Sequence, residues 1–270
     1  MKTLVTRPWR WLAVPLLAVA TAVPMLATAG ASASSGPPSY SQDVAGYQVA
    51  GRWFRYVSTT VTLPSDEVCV QLANSEPPGF GFGAAITLGN YEESTVGTSD
   101  GPASTLGVSM VPTSTGCGLI SPSFASNLPG YTSAAQFGAG AIHLYPGNQV
   151  RLDLYYNAAD QSTTATIYNL STGAKAASHF TSGAVYQSAS ATGGFGPMTP
   201  REIGIRLLPF TNSKATTYTG VRGTLTGPWQ TLPVWLTANG GQSGTLLASP
   251  GYLWQYGANF TVWLRATSGK

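Results

Sequence analysis

The sequence predicts an all-β domain of antiparallel strands, and three observations carry that prediction. Several short runs alternate apolar and polar residues with a period of two, the pattern of a strand with one buried face. The 32 glycines and 19 prolines, with abundant Ser and Thr, punctuate those runs with turn signals. No stretch sustains a helical period. A chain of 270 residues that is 43% hydrophobic can build one large sandwich.

Residues 1–33 have the features of a secretory signal. Lys2, Arg7 and Arg10 form a basic start, Trp11 to Ala20 opens an apolar run, and Ala27-Thr28-Ala29 or Ala31-Ser32-Ala33 offers a cleavage site. A membrane anchor is the alternative, but Pro15 and Pro24 interrupt the run, so no stable anchor is expected after cleavage. Residues 34–43 are a Ser/Pro/Gly linker expected to be poorly ordered, and residues 44–270 form the β-domain. Removing the three leader cations from the 13 basic residues leaves 10, against 10 acidic ones. A near-neutral mature domain argues against a nucleic-acid partner recruited by charge.

Ala45 to Pro64 suggests a β-hairpin. Val44, Tyr47 and Val49 belong to a first run, Gly51 breaks it, and Trp53 to Val57 starts a second. Thr59, Val61 and Leu63 then alternate with Ser58, Thr60 and Thr62, and Pro64 ends the strand. Cys69 and Cys117 are the two cysteines; in an exported protein they most simply form one disulfide. The chain-entropy estimate for a loop of about fifty residues is roughly 4 kcal/mol. A nucleophilic thiol or a metal site is the alternative, and no Cys-x-x-Cys or neighbouring His supports either.

Gly79 to Gly89 fits a buried strand with small residues on one face; its glycines lack the Lys-Ser/Thr of a phosphate loop. Glu92-Glu93 suits a solvated turn, because strand neighbours point to opposite faces. Leu106 to Val111 is another strand, and Ser121 to Ala141 is an irregular surface segment. From Ile142 an antiparallel meander follows. Pro146-Gly147-Asn148 turns, and Gln149 to Tyr156 alternates with Val150, Leu152 and Leu154 inward. Thr163 to Leu170 places Ala165, Ile167 and Leu170 inward, Ser171-Thr172-Gly173 turns, and Ala174 to Phe180 returns. Glu202 to Leu208, Thr216 to Leu225, Leu232 to Leu236, Thr245 to Ala248 and Asn259 to Leu264 complete the strands. His143 and His179 stand alone on strand-like runs without an acidic or thiol partner, so structural or surface roles are expected. Asn169-Leu170-Ser171 and Asn259-Phe260-Thr261 fit the glycosylation pattern, which matters only in a eukaryotic source.

The order of several motifs resembles the glutamic peptidases, the eqolisin family of acid endopeptidases. The match runs from about Ala45 to Leu264 and starts with the Gly46-Tyr47 pair and the Thr/Val strand closing at Pro64. It continues with the positions of Cys69 and Cys117, Tyr145-Pro146-Gly147-Asn148-Gln149-Val150, and Ala165 through the Thr172-Gly173 turn. Gly244 to Pro250 and Phe260-Thr261-Val262 resemble the last two strands. The resemblance implies a single-domain sandwich of two curved antiparallel sheets, concanavalin A-like or jelly-roll-like, without cofactor or metal.

The family's chemistry uses one Gln and one Glu on a concave face, the Glu as base toward water and the Gln holding that water. By resemblance the Gln lies between the cysteines, matching Thr95 or Val108 to Met110, yet Leu72 through Ala135 contains no Gln. The Glu is implied in an aromatic-rich segment after the second cysteine. That stretch here is Ser121 to Tyr131, and no Glu occurs between Glu93 and Glu202. None of the residues present replaces a carboxylate base.

The expectation is therefore a secreted, monomeric, non-catalytic module binding an extended extracellular polypeptide or polysaccharide, or serving a structural role. The alternative is an acid hydrolase using Asp153, Glu202, Glu92 or Glu93. Candidate ligand-contacting aromatics are Tyr131, Trp229 and Trp254, with Trp229 and Trp254 expected to be exposed. Trp53, Trp235 and Trp263 sit in strand-like runs where core packing is expected.

Overall fold

A computed structural model of the chain describes residues 39–89, 103–126, 137, 141–181, 186–196, 198, 204–240 and 242–264. The expected leader, Glu92, Glu93, Tyr131 and Glu202 lie outside the described residues. The protein is an all-β sandwich of two curved antiparallel sheets, and the fold class expected from the sequence stands.

The strands are β1 (Ser39–Ser41), β2 (Val44–Thr62), β3 (Phe82–Leu88), β4 (Ser104–Thr113), β5 (Gly116–Ser126), β6 (Gln149–Asn157) and β7 (Ser162–Asn169). They continue as β8 (Lys175–Thr181), β9 (Tyr186–Phe195), β10 (Ile205–Thr217), β11 (Arg222–Thr224), β12 (Gln230–Thr237), β13 (Leu246–Pro250) and β14 (Phe260–Leu264). Among the described residues one helix, α1 (Asp66–Ser75), follows β2.

The expected hairpin at Ala45 to Pro64 is instead a single 19-residue strand. Gly51 has φ +84° and, with Arg52 and the 60%-exposed Trp53, forms an outward bend. The chain does not reverse there, because each half of β2 has other partners. Val44 to Ala50 pairs with β9 and Gly46 to Ala50 with β12, while Tyr56 to Thr62 pairs with β6 and the same end of the strand pairs with β10. One strand therefore serves both sheets. The first runs β12-β2-β9-β3-β4-β5, and the second runs β11-β10-β2-β6-β7-β8.

At one end the pairings close a circuit: β2-β12-β13-β14-β10 and back to β2. Closure leaves those strands without open edges at that end. Aromatics fill it, with Phe260 stacked on Phe210 at 4.6 Å and meeting Tyr47 edge-on at 5.1 Å. Between the layers, Val150, Leu152, Leu154, Ala165 and Ile167 are fully buried, as the alternation predicted. Leu170, expected inward, is 48% exposed because β7 ends at Asn169 and Leu170 opens the turn.

Other differences have local causes. Ser39–Ser41 lies in the expected linker but pairs in parallel with β12, where Tyr40 packs on Trp235 and Ser41 Oγ accepts from the N–H groups of Asp43 and Val44. Ser121 to Ser126, expected to be irregular, is the end of β5. Pro122 is tolerated because β5 is an edge strand with β4 on one side. Helix α1 escapes the periodicity test because it buries only Cys69 and Leu72. Its first-turn Asp66 and Glu67 favour the helix N-terminus, and Asp66 accepts the Cys117 N–H at 2.8 Å. Cys69 and Cys117 are joined in a disulfide across 48 residues, fastening α1 to the β4–β5 hairpin. Among the described residues no helix is long and apolar enough to cross a membrane.

Candidate functional site

Residues directly opposite one another in paired strands share a face, so the registers define the outer surface of the second sheet. One row across it is Arg222, Thr216, Tyr56, Tyr155, Thr164 and His179. The next is Thr224, Lys214, Ser58, Asp153, Thr166 and Ala177. A third contains Thr60, Arg151, Tyr168 and Lys175. Across six strands these rows carry hydroxyls, tyrosines and cations together with one carboxylate, Asp153; Ser58, Thr60, Thr166 and Thr216 are buried among the longer side chains.

That carboxylate is already engaged. Arg151 bonds Asp153 Oδ2 from Nη2 at 2.8 Å and from Nε at 3.1 Å, and the Tyr56 phenol donates to Oδ1 at 3.2 Å. Burial pushes the Tyr56 phenol above its ordinary range, and the Asp153 charge adds to this, so Tyr56 remains a neutral donor. The Arg151 guanidinium lies 4.1 Å from the Tyr168 ring centre, with Lys175 Nζ at 5.2 Å from it. Lys214 Nζ stands 6.0 Å from the Tyr56 ring centre.

At one end of this face is an open cleft of about 480 Å³, lined by Arg55, Tyr56, Tyr155, Lys214, Thr216 and Arg222 among others. Among the described residues no carboxylate lines it. Among the described residues, Arg55, Lys214 and Arg222 have no ion-pair partner. Three unpaired cations beside phenols and hydroxyls can hold an anion; they supply no base for activating water.

The loop between β13 and β14 is fastened to the rim of this cleft. The Tyr256 carbonyl accepts from Thr224 Oγ1 at 2.5 Å and from Thr226 Oγ1 at 2.7 Å, and Leu225 N–H donates to the Gly257 carbonyl at 3.1 Å. Gln255 and Tyr256 both have positive φ, 50° and 55°, a costly conformation for consecutive residues with side chains. It is held by paired backbone bonds between Trp254 and Asn259, at 3.0 and 3.2 Å. The loop displays Tyr252 at 94% exposure, Tyr256 at 88% and Trp254 at 39%.

The aromatic candidates are sorted by these positions. Trp254 is exposed as expected and sits on the cleft-rim loop. Trp229, expected to be exposed, packs edge-on against the buried Phe54 at 5.3 Å, because the 222–231 segment folds back over the core. Trp53 and Trp263, expected in the core, are exposed, Trp53 at the β2 bend and Trp263 on the outward side of β14. Trp235 is half-buried against Tyr40. His143 and His179 are both exposed. Both glycosylation asparagines are buried and use their amides: Asn169 donates to the His143 carbonyl and Asn148, and Asn259 to Gln255. Among the described residues no three His, Cys, Asp or Glu side chains come together in a metal-type group. Sequence reasoning did not single out Arg55, Tyr155, Lys214 or Arg222, because the β10–β2 and β2–β6 pairings join residues about a hundred or more positions apart.

The outer face of the first sheet differs. Gln48, Ser190, Thr87 and Thr105 lie in one row, and Gly46, Thr192, Ala85, Gly107 and Ser123 in the next. Apart from Gln48 these are small residues, and the rows carry no carboxylate. The hydroxyls of Ser190 and Thr192 are buried and have no hydrogen-bond partner.

No family model matches the chain, and no curated protein matches it by sequence. Among solved structures, scytalido-glutamic peptidase, crystallised with a transition-state analog inhibitor, overlays with a TM-score of 0.58 at 15% identity, over 83% of this chain and 99% of its own. Lectin II from Ulex europaeus overlays with a TM-score of 0.30 at 9% identity, over 57% of this chain and 66% of its own. The enzymatically active domain of bacteriophage CBA120 tailspike protein 2 gives 0.35 at 12% identity, over 63% of this chain and 24% of its own. The last two overlays are too loose to bear on function. The chain has a glutamic-peptidase-like fold.

Proposed function

We propose that this chain is an exported, non-catalytic domain of glutamic-peptidase-like fold that binds an extended polymer, peptide or glycan. The observation that carries the reading is a retained framework without the residues its chemistry requires. The fold is shared with a glutamic peptidase over 83% of the chain. Yet Leu72 through Ala135 has no Gln, and no Glu lies between Glu93 and Glu202. Losing one member of a cooperating pair removes most of the catalysis, and here both are missing from whole intervals. The engagement of Asp153 by Arg151 and Tyr56 weighs against the hydrolase alternative, since its cross-strand neighbours Ser58 and Thr166 are not acidic. The test is degradation of a denatured protein by the purified protein from about pH 2 to about pH 7, the range in which a carboxylate base titrates. No cleavage at any pH is expected. Cleavage with an acidic optimum that survives re-purification overturns the reading.

A further inference from the structure

We propose that the cleft between Arg55, Lys214 and Arg222, with the exposed aromatic loop at its rim, binds an acidic polysaccharide bearing a carboxylate or sulfate on its repeating sugars. This deepens the binding-domain reading and rests on it. Three independent observations converge on that chemistry.

The first is charge. A chain that carries 10 basic and 10 acidic residues over positions 34–270 gathers Arg55, Lys214 and Arg222 around one cleft whose described lining has no carboxylate. Lys175 extends the positive face three strands beyond Tyr56, where Arg151 is already neutralised by Asp153. Neighbouring strands are about 4.8 Å apart, so cationic positions on β11, β10 and β8 lie along a strip roughly 24 Å long. An anionic polymer fits such a strip better than a compact ion.

The second is the rim loop. Tyr252, Trp254 and Tyr256 stand exposed at alternate positions, on a turn that holds Gln255 and Tyr256 at positive φ. Strained backbone displaying an aromatic ring to solvent marks a functional segment. The apolar C–H face of a sugar ring stacks on such a ring, while its acidic substituent meets the guanidinium and ammonium groups.

The third separates a glycan from an acidic peptide. An extended peptide is usually held by adding a strand to an open sheet edge, with backbone hydrogen bonds supplying the affinity. Strands β10, β2, β6 and β7 are paired on both sides, so between the edge strands β11 and β8 this face offers side chains rather than free backbone groups. The cations Arg55, Lys214 and Arg222 and the exposed Tyr155 match a polymer of hydroxyls and acidic groups.

The experiment is binding of the purified protein to polygalacturonate, with dextran and poly-glutamate as comparisons, followed by calorimetry. Polygalacturonate is expected to bind, dextran not, and binding should weaken about tenfold between low and high salt as screening shortens. The double variant Lys214→Gln/Arg222→Gln, both side chains exposed, should fold as the parent by circular dichroism and bind about tenfold more weakly, the loss of charge-assisted hydrogen bonds. Tyr256→Asn keeps a residue that tolerates positive φ and removes the ring, and should also weaken binding. Arg206→Gln, opposite Trp263 at the far end of β10, should bind as the parent. No binding to polygalacturonate, equal binding by the double variant, or capture of poly-glutamate alone overturns the proposal. Should the protein cleave polypeptide at acid pH and still bind polygalacturonate through Lys214 and Arg222, the non-catalytic reading fails and this site stands.

Discussion

The Tyr56 phenol donates to Asp153 across the β2–β6 pair at 3.2 Å, while Arg151 occupies the other carboxylate oxygen at 2.8 Å. A carboxylate held this way is a structural anchor on the sheet face. Asp153→Ala should lower stability by about 1 kcal/mol, a small value because the Arg151 side chain is 38% exposed and water screens the pair. Urea unfolding midpoints measure this. No acid-range proteolysis should exist for the substitution to remove; if one exists and Asp153→Ala abolishes it, Asp153 is a base and the anchoring role is wrong.

Several tyrosines are buried, and this should set the alkaline limit of the fold. Burial pushes the Tyr47 phenol up to about 12, with a smaller contribution from Tyr252, and burial raises Tyr56, Tyr186 and Tyr218 as well. A phenol whose folded pKa lies above its unfolded value near 10 contributes stability that is full below pH 10. The unfolded chain then ionises first, and the contribution is lost as pH rises toward 12. Stability should therefore fall steeply between about pH 10 and 12. Tyr47→Phe should flatten that fall while costing about 1 kcal/mol at neutral pH through loss of the bond to the Gly251 carbonyl. An unchanged alkaline slope in Tyr47→Phe would show that another group governs it.

Much of the fold was legible because its signal is local. Val150, Leu152 and Leu154 alternate with Arg151 and Asp153, and the structure buries the first set and exposes part of the second. The turn at Pro146-Gly147 is equally local, with Gly147 at φ +78°. What was hidden depends on partners far along the chain. The β2 bend at Gly51 resembles a hairpin turn until β9, β12, β6 and β10 are known to claim its two sides. Trp53 has the composition of a core residue and the position of a bend. Helix α1 buries two side chains, too few to write a helical period into the sequence. The candidate site was least legible: Lys214 and Arg222 acquire meaning only when β10 and β11 lie beside Tyr56 and Tyr155.

The Cys69–Cys117 bond ties α1 to the β4–β5 hairpin across 48 residues. Cross-linking a loop of that length removes denatured-chain entropy worth about 4 kcal/mol in the simplest account. Reduction, or the double Cys69→Ala/Cys117→Ala variant, should lower the urea midpoint by a corresponding amount. The Asp66 contact to the Cys117 N–H would survive in the variant and hold part of the geometry. A midpoint that does not move on reduction would mean that α1 packing already fixes this corner.

Thr192 and Ser190 carry the opposite kind of burial. Both hydroxyls are shielded on β9 without a hydrogen-bond partner. An unpaired buried hydroxyl forfeits its bonds to water, at about 1–3 kcal/mol. Thr192→Val removes the hydroxyl at nearly constant shape and keeps the β-branched fit beside Gly46. It should raise stability by about 1 kcal/mol, read as a higher urea midpoint with unchanged slope. Destabilisation instead would mean that a bound water or ligand satisfies the hydroxyl in solution. Soaking out that occupant, or observing Ser190→Ala lose the same amount non-additively, would then place a second polar site on the first sheet.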